Sequence, residues 1–428
     1  MSSEHTKSDL MQEEYETTPV PKNKRKSLFS VTMVWAGFPM IITSAVTGAT
    51  LVHSMGFVQG MLAVLLGNLL LFGYVGLLSI LGAKYGMNFG MLASRTFGRK
   101  GYMIATGLLS TLVIGWFAVQ TSLTGESMAA AYDVNLFVVT LIAGVLFLAA
   151  TLIGIKALTI VGSISVPLFL LMGIYSVVDV WQSGSNIWSY QGTTEVVIPM
   201  GVAVTMVFAL FVDSGTMTAD FTRWAKNRKH AVLATLSAFP IGNMIAMAIG
   251  GIIAASVAGS SGDVFGIVAN KGGLLTLLAV IFLFANLGSV CMHCLYNGAV
   301  GWSFITGKKM RTLTLILGLV GIVLAVAGAY NYFINWLELL GVIVPPIGAI
   351  LIVDQLIIRR QMSQQVESLR YTPFIAWGVG SLTALIAHYQ FTSLSTAVVG
   401  IVFAAASYLV VSVLFKNHKK IGEMNEAA

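Results

Sequence analysis

Residues 197–219 read VIPMGVAVTMVFALFVDSGTMTA. The stretch is long and apolar enough to cross a bilayer, because roughly 20 residues at about 1.5 Å each cover about 30 Å of hydrocarbon. It nevertheless contains Asp213-Ser214-Gly215-Thr216. Gly weakens a helix, and Asp and Ser compete for its backbone hydrogen bonds. A break is therefore predicted at 213–216. Lipid tolerates such a break only where the freed backbone lines a cavity or is buried in protein. A second apolar stretch, 30–53, carries Gly37-Phe38-Pro39 in its middle. Pro39 has no N–H and clashes with the preceding turn.

Working outward, we read twelve spans: 30–53, 57–82, 101–126, 134–155, 157–178, 197–219, 231–257, 273–298, 312–332, 334–356, 372–388 and 393–415. The broken spans are the first and the sixth. That spacing is expected of two inverted five-helix repeats, each opening on a discontinuous helix at a midplane site. Either break alone reads equally as a tolerated kink; the matched pair favours the repeat. The predicted fold is an all-α integral membrane protein with 12 transmembrane helices. Its parts are a tail (1–28), a first repeat (29–178), a second repeat (197–356), two further helices (372–415) and a C-terminal tail (416–428).

Composition and charge agree. Of 428 residues, 57% are hydrophobic and 10% charged, against about 25% charged in soluble domains. An ordinary soluble enzyme and a disordered protein are both excluded. The net charge of +7 is topological: 23 of the 24 Lys and Arg fall in the tails and even-numbered loops, and only Lys271 lies on the other side. By the positive-inside rule both termini are cytoplasmic, in an inner (plasma) membrane. Nucleic acid is not expected as a partner; the lipid bilayer is. Residues 1–28 lack the apolar core of a signal peptide. Trp181, Trp188 and Trp302 read as interfacial belt.

Ionisable groups inside spans cost about 2.5–3.5 kcal/mol on insertion scales and point to function. Asp213, His293, Glu338 and Glu126 qualify. Glu126 lies where solvent reaches it, and Glu338 is either a vestibule or a snorkelling carboxylate. Asp220 and Asp354 read as caps or ion pairs with Arg223 and Arg359. Trp116 lies about 20 Å along its span, and Gln120 shares its face one turn on. Together they suit a planar polar ligand, or equally a packed Trp beside an amide bonded to another helix. Asn286 and Ser289 share a face of span eight. Cys291 and Cys294 read as buried, inert thiols. No phosphate-binding, zinc or nucleophile-elbow motif appears in suitable context, so catalysis is not expected.

At these residues the chain resembles the nucleobase–cation symporters, nearest the cytosine permease branch. The likeness spans about residues 20 to 360. It rests on VLLGNLLL (64–71), SRTFG (94–98), Gly115-Trp116-Phe117, SGTMTADFTRW (214–224), Gly242-Asn243, and Pro345-Pro346 with Asp354. It implies a leucine-transporter-like fold of two inverted five-helix repeats plus two helices. It also implies a base clamped between Trp116 and Phe211, with Asn286 near substrate and cation; Gln120 and Asp213, read from their own chemistry, would meet the ring's polar edge, with Gly215 beside them. A sodium site would use Gly37, Ile41, Asn286 and Ser289. The chain departs from the branch at Asp213, at Val113 and at Val290, which supplies no second hydroxyl. Gln120 matches the hydantoin-transporter branch instead.

The function read from the sequence is secondary import of a small planar nitrogen heterocycle, cytosine or a related amino-pyrimidine, by cation symport. No cofactor is expected. The coupling ion is Na+ or H+, and the protein acts as a monomer. The alternative is proton-coupled transport of a hydantoin-like or donor-rich ring through Asp213. A channel or membrane enzyme is a remote third reading.

Overall fold

The structure is a computed structural model that describes residues 14–182, 186–193, 197–257, 260–358 and 367–426, with side chains as far as Leu414. The described residues are helical with no strand beyond one isolated bridge, Lys26 to Ala225. Each of the twelve predicted stretches contains helix. Among the described residues seven helices are long and apolar enough to cross a membrane by themselves, and Leu136–Thr151, Met200–Ala209 and Met310–Val326 are shorter apolar ones. Large apolar side chains such as Leu69, Ile104, Val145 and Leu319 point outward. Where the solvent is lipid, such side chains belong outside.

Some boundaries differ from the hydropathy reading. Span three runs Tyr102–Tyr132, well past Glu126, and ends where Asp133 turns left-handed. A carboxylate near a helix end ends the apolar run, not the helix. Helix Phe89–Phe97, between spans two and three, was not anticipated; Asn88 caps it by accepting from the Met91 N–H. Asp220 reaches the same helix from span six and accepts from the Phe89 N–H at 2.8 Å. Asp220 is therefore a cap. Arg223 touches only its backbone carbonyl, at 3.1 Å.

The N-terminal tail does more than lead into span one. Glu14 is buried, accepting from the Ile155 N–H at 3.1 Å and from the Tyr296 hydroxyl at 2.8 Å. Burial pushes its carboxyl above the usual carboxylate range, against the pull of those two bonds. Arg223 donates to the carbonyls of Tyr15 and Glu14. Val20 N–H donates to Gly86 O and Lys26 N–H to Trp224 O. The tail thus ties spans two, five, six and eight together on the face that carries the basic loops.

Span ten ends in a second polar cluster. Arg359 lies outside the described residues, and Asp354 pairs with Arg370 at 3.3 Å. Its carboxylate also accepts from Tyr408 at 2.6 Å and Thr96 at 2.8 Å. Removing one partner from a buried ion pair strands the other charge, at roughly 3–5 kcal/mol. Asp354→Ala is accordingly expected to lower the apparent unfolding temperature in detergent sharply, and Asp354→Asn to lower it less. Unchanged melting of Asp354→Ala would show that the cluster is not structural.

Candidate functional site

Span one forms two helices, Leu28–Ala36 and Ile42–Met55. Residues 37–41 between them leave the helical ladder, so several backbone groups need other partners. Span eight supplies them from one face. Asn286 donates to Met40 O at 2.6 Å and accepts from the Ile42 N–H at 3.0 Å. Ser289 donates to Gly37 O at 2.8 Å. His293 lies between two carbonyl oxygens, Ser289 O at Nδ1 and Val34 O at Nε2, each at 2.6 Å. Residues 286, 289 and 293 are spaced i, i+3 and i+7, which keeps them on one helical stripe. Gly37 itself approaches span five: a side-chain carbon there would come within 2.6 Å of Gly162 Cα.

Span six breaks too, but two residues before the predicted point. Met200–Ala209 ends, Phe211 takes non-helical angles (φ −134°, ψ 11°), and Val212–Thr216 restarts the helix. Asp213 lies inside that restarted turn, where its Oδ1 accepts from the Ser214 N–H at 2.7 Å. Local side-chain bonding at Asp213 thus supports the turn after the break. Gly215 serves packing, since a side-chain carbon there would press on Val75 of span two at 2.7 Å.

The two breaks meet around aromatic rings. Phe38 of span one contacts Phe211 edge-on, with centroids 5.0 Å apart, and lies tilted on His293 at 5.0 Å. Trp116 packs edge-on against Phe333 at 5.8 Å. Its indole N–H is within electrostatic reach of Asp213. Yet Trp116 Nε1, Asp213 Oδ2 and Ser214 Oγ are all buried without a hydrogen-bond partner. Buried polar atoms are nearly always paired, so unpaired ones call for an explanation. Among the described residues no ring contact joins Trp116 to Phe211. The site is closed: Trp116 is 3% exposed, and Phe211, Asp213 and Gln120 are each 1% exposed.

The predicted residues therefore divide. Trp116, Phe211 and Asp213 gather at the span-six break with unspent polar capacity. Gln120 is engaged with Thr43, donating to its hydroxyl at 2.9 Å and accepting from it at 3.2 Å. Asn286 is spent on span one. Ile41 O already accepts from the Ser44 and Ala45 N–H groups. Ser214 was not singled out as a site residue from the sequence, and His293 only as an ionisable group inside a span; its i+7 spacing from Asn286 was the further signal. Glu338 is set apart, lining a small peripheral pocket with His388.

Residues 19–414 match the family described as permease for cytosine/purines, uracil, thiamine and allantoin. The chain is 33% identical to the cytosine permease of Escherichia coli K12 over 347 residues, 80% of this chain and 81% of that one. It belongs to this permease family. Among solved structures it is similar to Mhp1, a nucleobase-cation-symport-1 family transporter, in a closed conformation with bromovinylhydantoin bound. The TM-score is 0.76 at 18% identity, covering 93% of this chain and 94% of that one. A Na+-coupled sialic acid symporter gives 0.68 at 13% identity, covering 96% and 93%. These likenesses show the fold. As a family member the chain is a cation-coupled nucleobase transporter that works by alternating access, and is not an enzyme.

In a permease whose first span is unwound, the Asn286 amide holds two backbone groups that lipid cannot serve. Leaving a buried group unpaired costs about 1–3 kcal/mol. Asn286→Ala is expected to lower thermal stability without any ligand present, which differential scanning in detergent would register. Wild-type melting together with lost substrate binding would place the amide on the substrate instead.

Proposed function

We propose that the protein imports cytosine or a closely related amino-pyrimidine as a monomer, across an inner membrane and with both termini in the cytoplasm. The observation that carries this reading is the trio of unpaired polar atoms at the span-six break, Trp116 Nε1, Asp213 Oδ2 and Ser214 Oγ. A carboxylate oxygen takes N–H donors and an indole N–H takes an acceptor. An amino-pyrimidine offers both along one edge. Trp116 and Phe211 supply π surface for its faces, at roughly 0.5–1.5 kcal/mol per aromatic pair beyond area burial. The 33% identity to a cytosine permease supports this class over a hydantoin-like ring. Gln120 takes the further role of setting the gap, through Thr43 of span one.

The coupling cation acts where span eight grips span one. Groups there already join the two moving parts, so an added positive charge changes their affinity for one another. Asp213 reads the substrate edge and is not the carrier of the coupling ion. The basic loops support the orientation, because Lys and Arg are retained on the cytoplasmic side.

In proteoliposomes, radiolabelled cytosine should accumulate under an inward cation gradient and be displaced by unlabelled amino-pyrimidines. Trp116→Ala and Phe211→Ala should each abolish accumulation while expression stays near wild type. Asp213→Asn should weaken binding by roughly 5- to 150-fold, the cost of one lost partner, with ion dependence unchanged. Binding within twofold of wild type in Trp116→Ala would refute the clamp.

A further inference from the structure

We propose that a groove along the outward side of span three binds one phospholipid with a primary-amine headgroup, its ammonium on Glu126 and an acyl chain against Gly115. Thr111, Gly115, Ala118, Ser122 and Glu126 are spaced i, i+4, i+7, i+11 and i+15 along the helix Tyr102–Tyr132. That spacing puts them on one face. Two cavities follow one another along it. The first, about 370 Å³, is lined by Thr111, Gly115 and Ala118, by Val320 and Leu324 of span nine and by Trp336 of span ten. The second, about 340 Å³, lies nearer the end of span three that points away from the basic loops. Ser122, Glu126, Asn135, Thr140 and Asn331 line it.

The chemistry changes from one chamber to the next. The first is walled mainly by hydrocarbon, and the Thr111 hydroxyl is spent on Gly107 O of its own helix at 2.8 Å. Val320 and Leu324 are half exposed at its rim, so the chamber opens toward lipid. Among the described residues, the two linings together hold one charged side chain, Glu126, and neither Lys nor Arg. That charge repels an anionic headgroup and attracts an ammonium. Glu126 Oε1 accepts from Ser122 at 3.2 Å, and a carboxylate has lone pairs for about four such bonds. A primary ammonium brings three N–H donors to them, whereas a quaternary ammonium brings none. The Asn135 oxygen accepts from the Val138 N–H at 3.1 Å, which leaves its NH2 as a donor for the lipid phosphate.

The dimensions fit one leaflet. Gly115 and Glu126 are eleven residues apart, about 16 Å along a helix axis. Half of a hydrocarbon core about 30 Å thick is about 15 Å. A headgroup on Glu126 therefore brings the chain to Gly115. A side-chain carbon at Gly115 would come within 2.4 Å of the Trp336 ring, so the bare backbone is what lets span ten close on span three there. Trp336 follows Phe333 by about one turn, and Phe333 packs on Trp116 at 5.8 Å. A chain seated in the first chamber covers Trp336 and holds the first half of span ten in place behind Trp116. This consequence for transport rests on the proposed clamp; the lipid site does not.

The experiment needs no transported substrate. Purified full-length protein, stripped of lipid in detergent, would be titrated with dioleoyl phosphatidylethanolamine, phosphatidylcholine and phosphatidylglycerol, and with soluble phosphoethanolamine. Native mass spectrometry would follow lipid retention, and differential scanning would follow melting. The amine lipid should be retained about tenfold more tightly than the choline lipid, the scale of one hydrogen bond to a charged group, and should raise the unfolding temperature. Glu126→Gln should bring the two lipids to equal retention. Val320→Trp, which narrows the mouth of the first chamber and leaves Glu126 intact, should lose the amine lipid as well. Equal retention of amine and choline lipids by the wild type would overturn the proposal. So would an amine preference that survives Glu126→Gln, or tighter retention of the anionic lipid. If phosphoethanolamine alone reproduces the melting shift and Val320→Trp keeps its lipid, the site takes a soluble amine and the lipid assignment fails.

Discussion

Everything at the centre of this transporter depends on how an interrupted helix survives in lipid. An unpaired backbone group cannot be left to hydrocarbon, where it costs several kcal/mol. The gap at 37–41 exposes such groups, and span eight answers with an amide, a hydroxyl and an imidazole on one stripe. The partner for the broken helix is therefore another span and not solvent. Stability and movement then share the same bonds. Whatever loosens the stripe frees span one, and whatever tightens it holds span one closed.

The aromatic residues extend that logic to the substrate. Phe38 belongs to the gap, yet its ring leans on both Phe211 and His293. Phe38 therefore joins the span-one gap to the span-six break. The unpaired atoms on the far side, at Asp213 and Ser214, have a different character. With the Trp116 indole N–H, they are polar atoms at the span-six break that make no hydrogen bond within the protein. Under the proposed clamp, recognition and gating would fall to separate atoms.

The spans were legible because the lipid constraint is severe, and hydropathy alone places helix in all twelve. The broken helices were legible too, but the position of the second break was not. Asp213, Ser214 and Gly215 signal local irregularity, and the side chain of Asp213 spends that tendency on bonding within the restarted turn, so the backbone turns at Phe211 instead. The docking of the tail was not legible, for another reason. A polar segment of mixed charge has no periodicity to announce docking, and Glu14 is buried by partners 141 and 282 residues away. Asn286 was legible as a polar residue at the right depth. Its partners, being backbone groups of span one, leave no trace in side-chain identities.

The tail and the span-eight stripe act on the same helices from different levels. Tyr296 sits one turn beyond His293 and donates to Glu14, while Arg223, past the end of span six, holds the tail backbone. Arg223 also donates to the Tyr296 hydroxyl at 3.2 Å, so separating the basic-face ends of spans six and eight breaks that direct bond together with one of the tail's links. Each bond contributes only about 1 kcal/mol net, but bonds that must break together add along the same motion. Cooperative breakage of this kind gives two discrete arrangements in place of a continuum, and alternating access needs two states that exclude one another. The polar groups buried at the basic face therefore hold this arrangement of spans six and eight together.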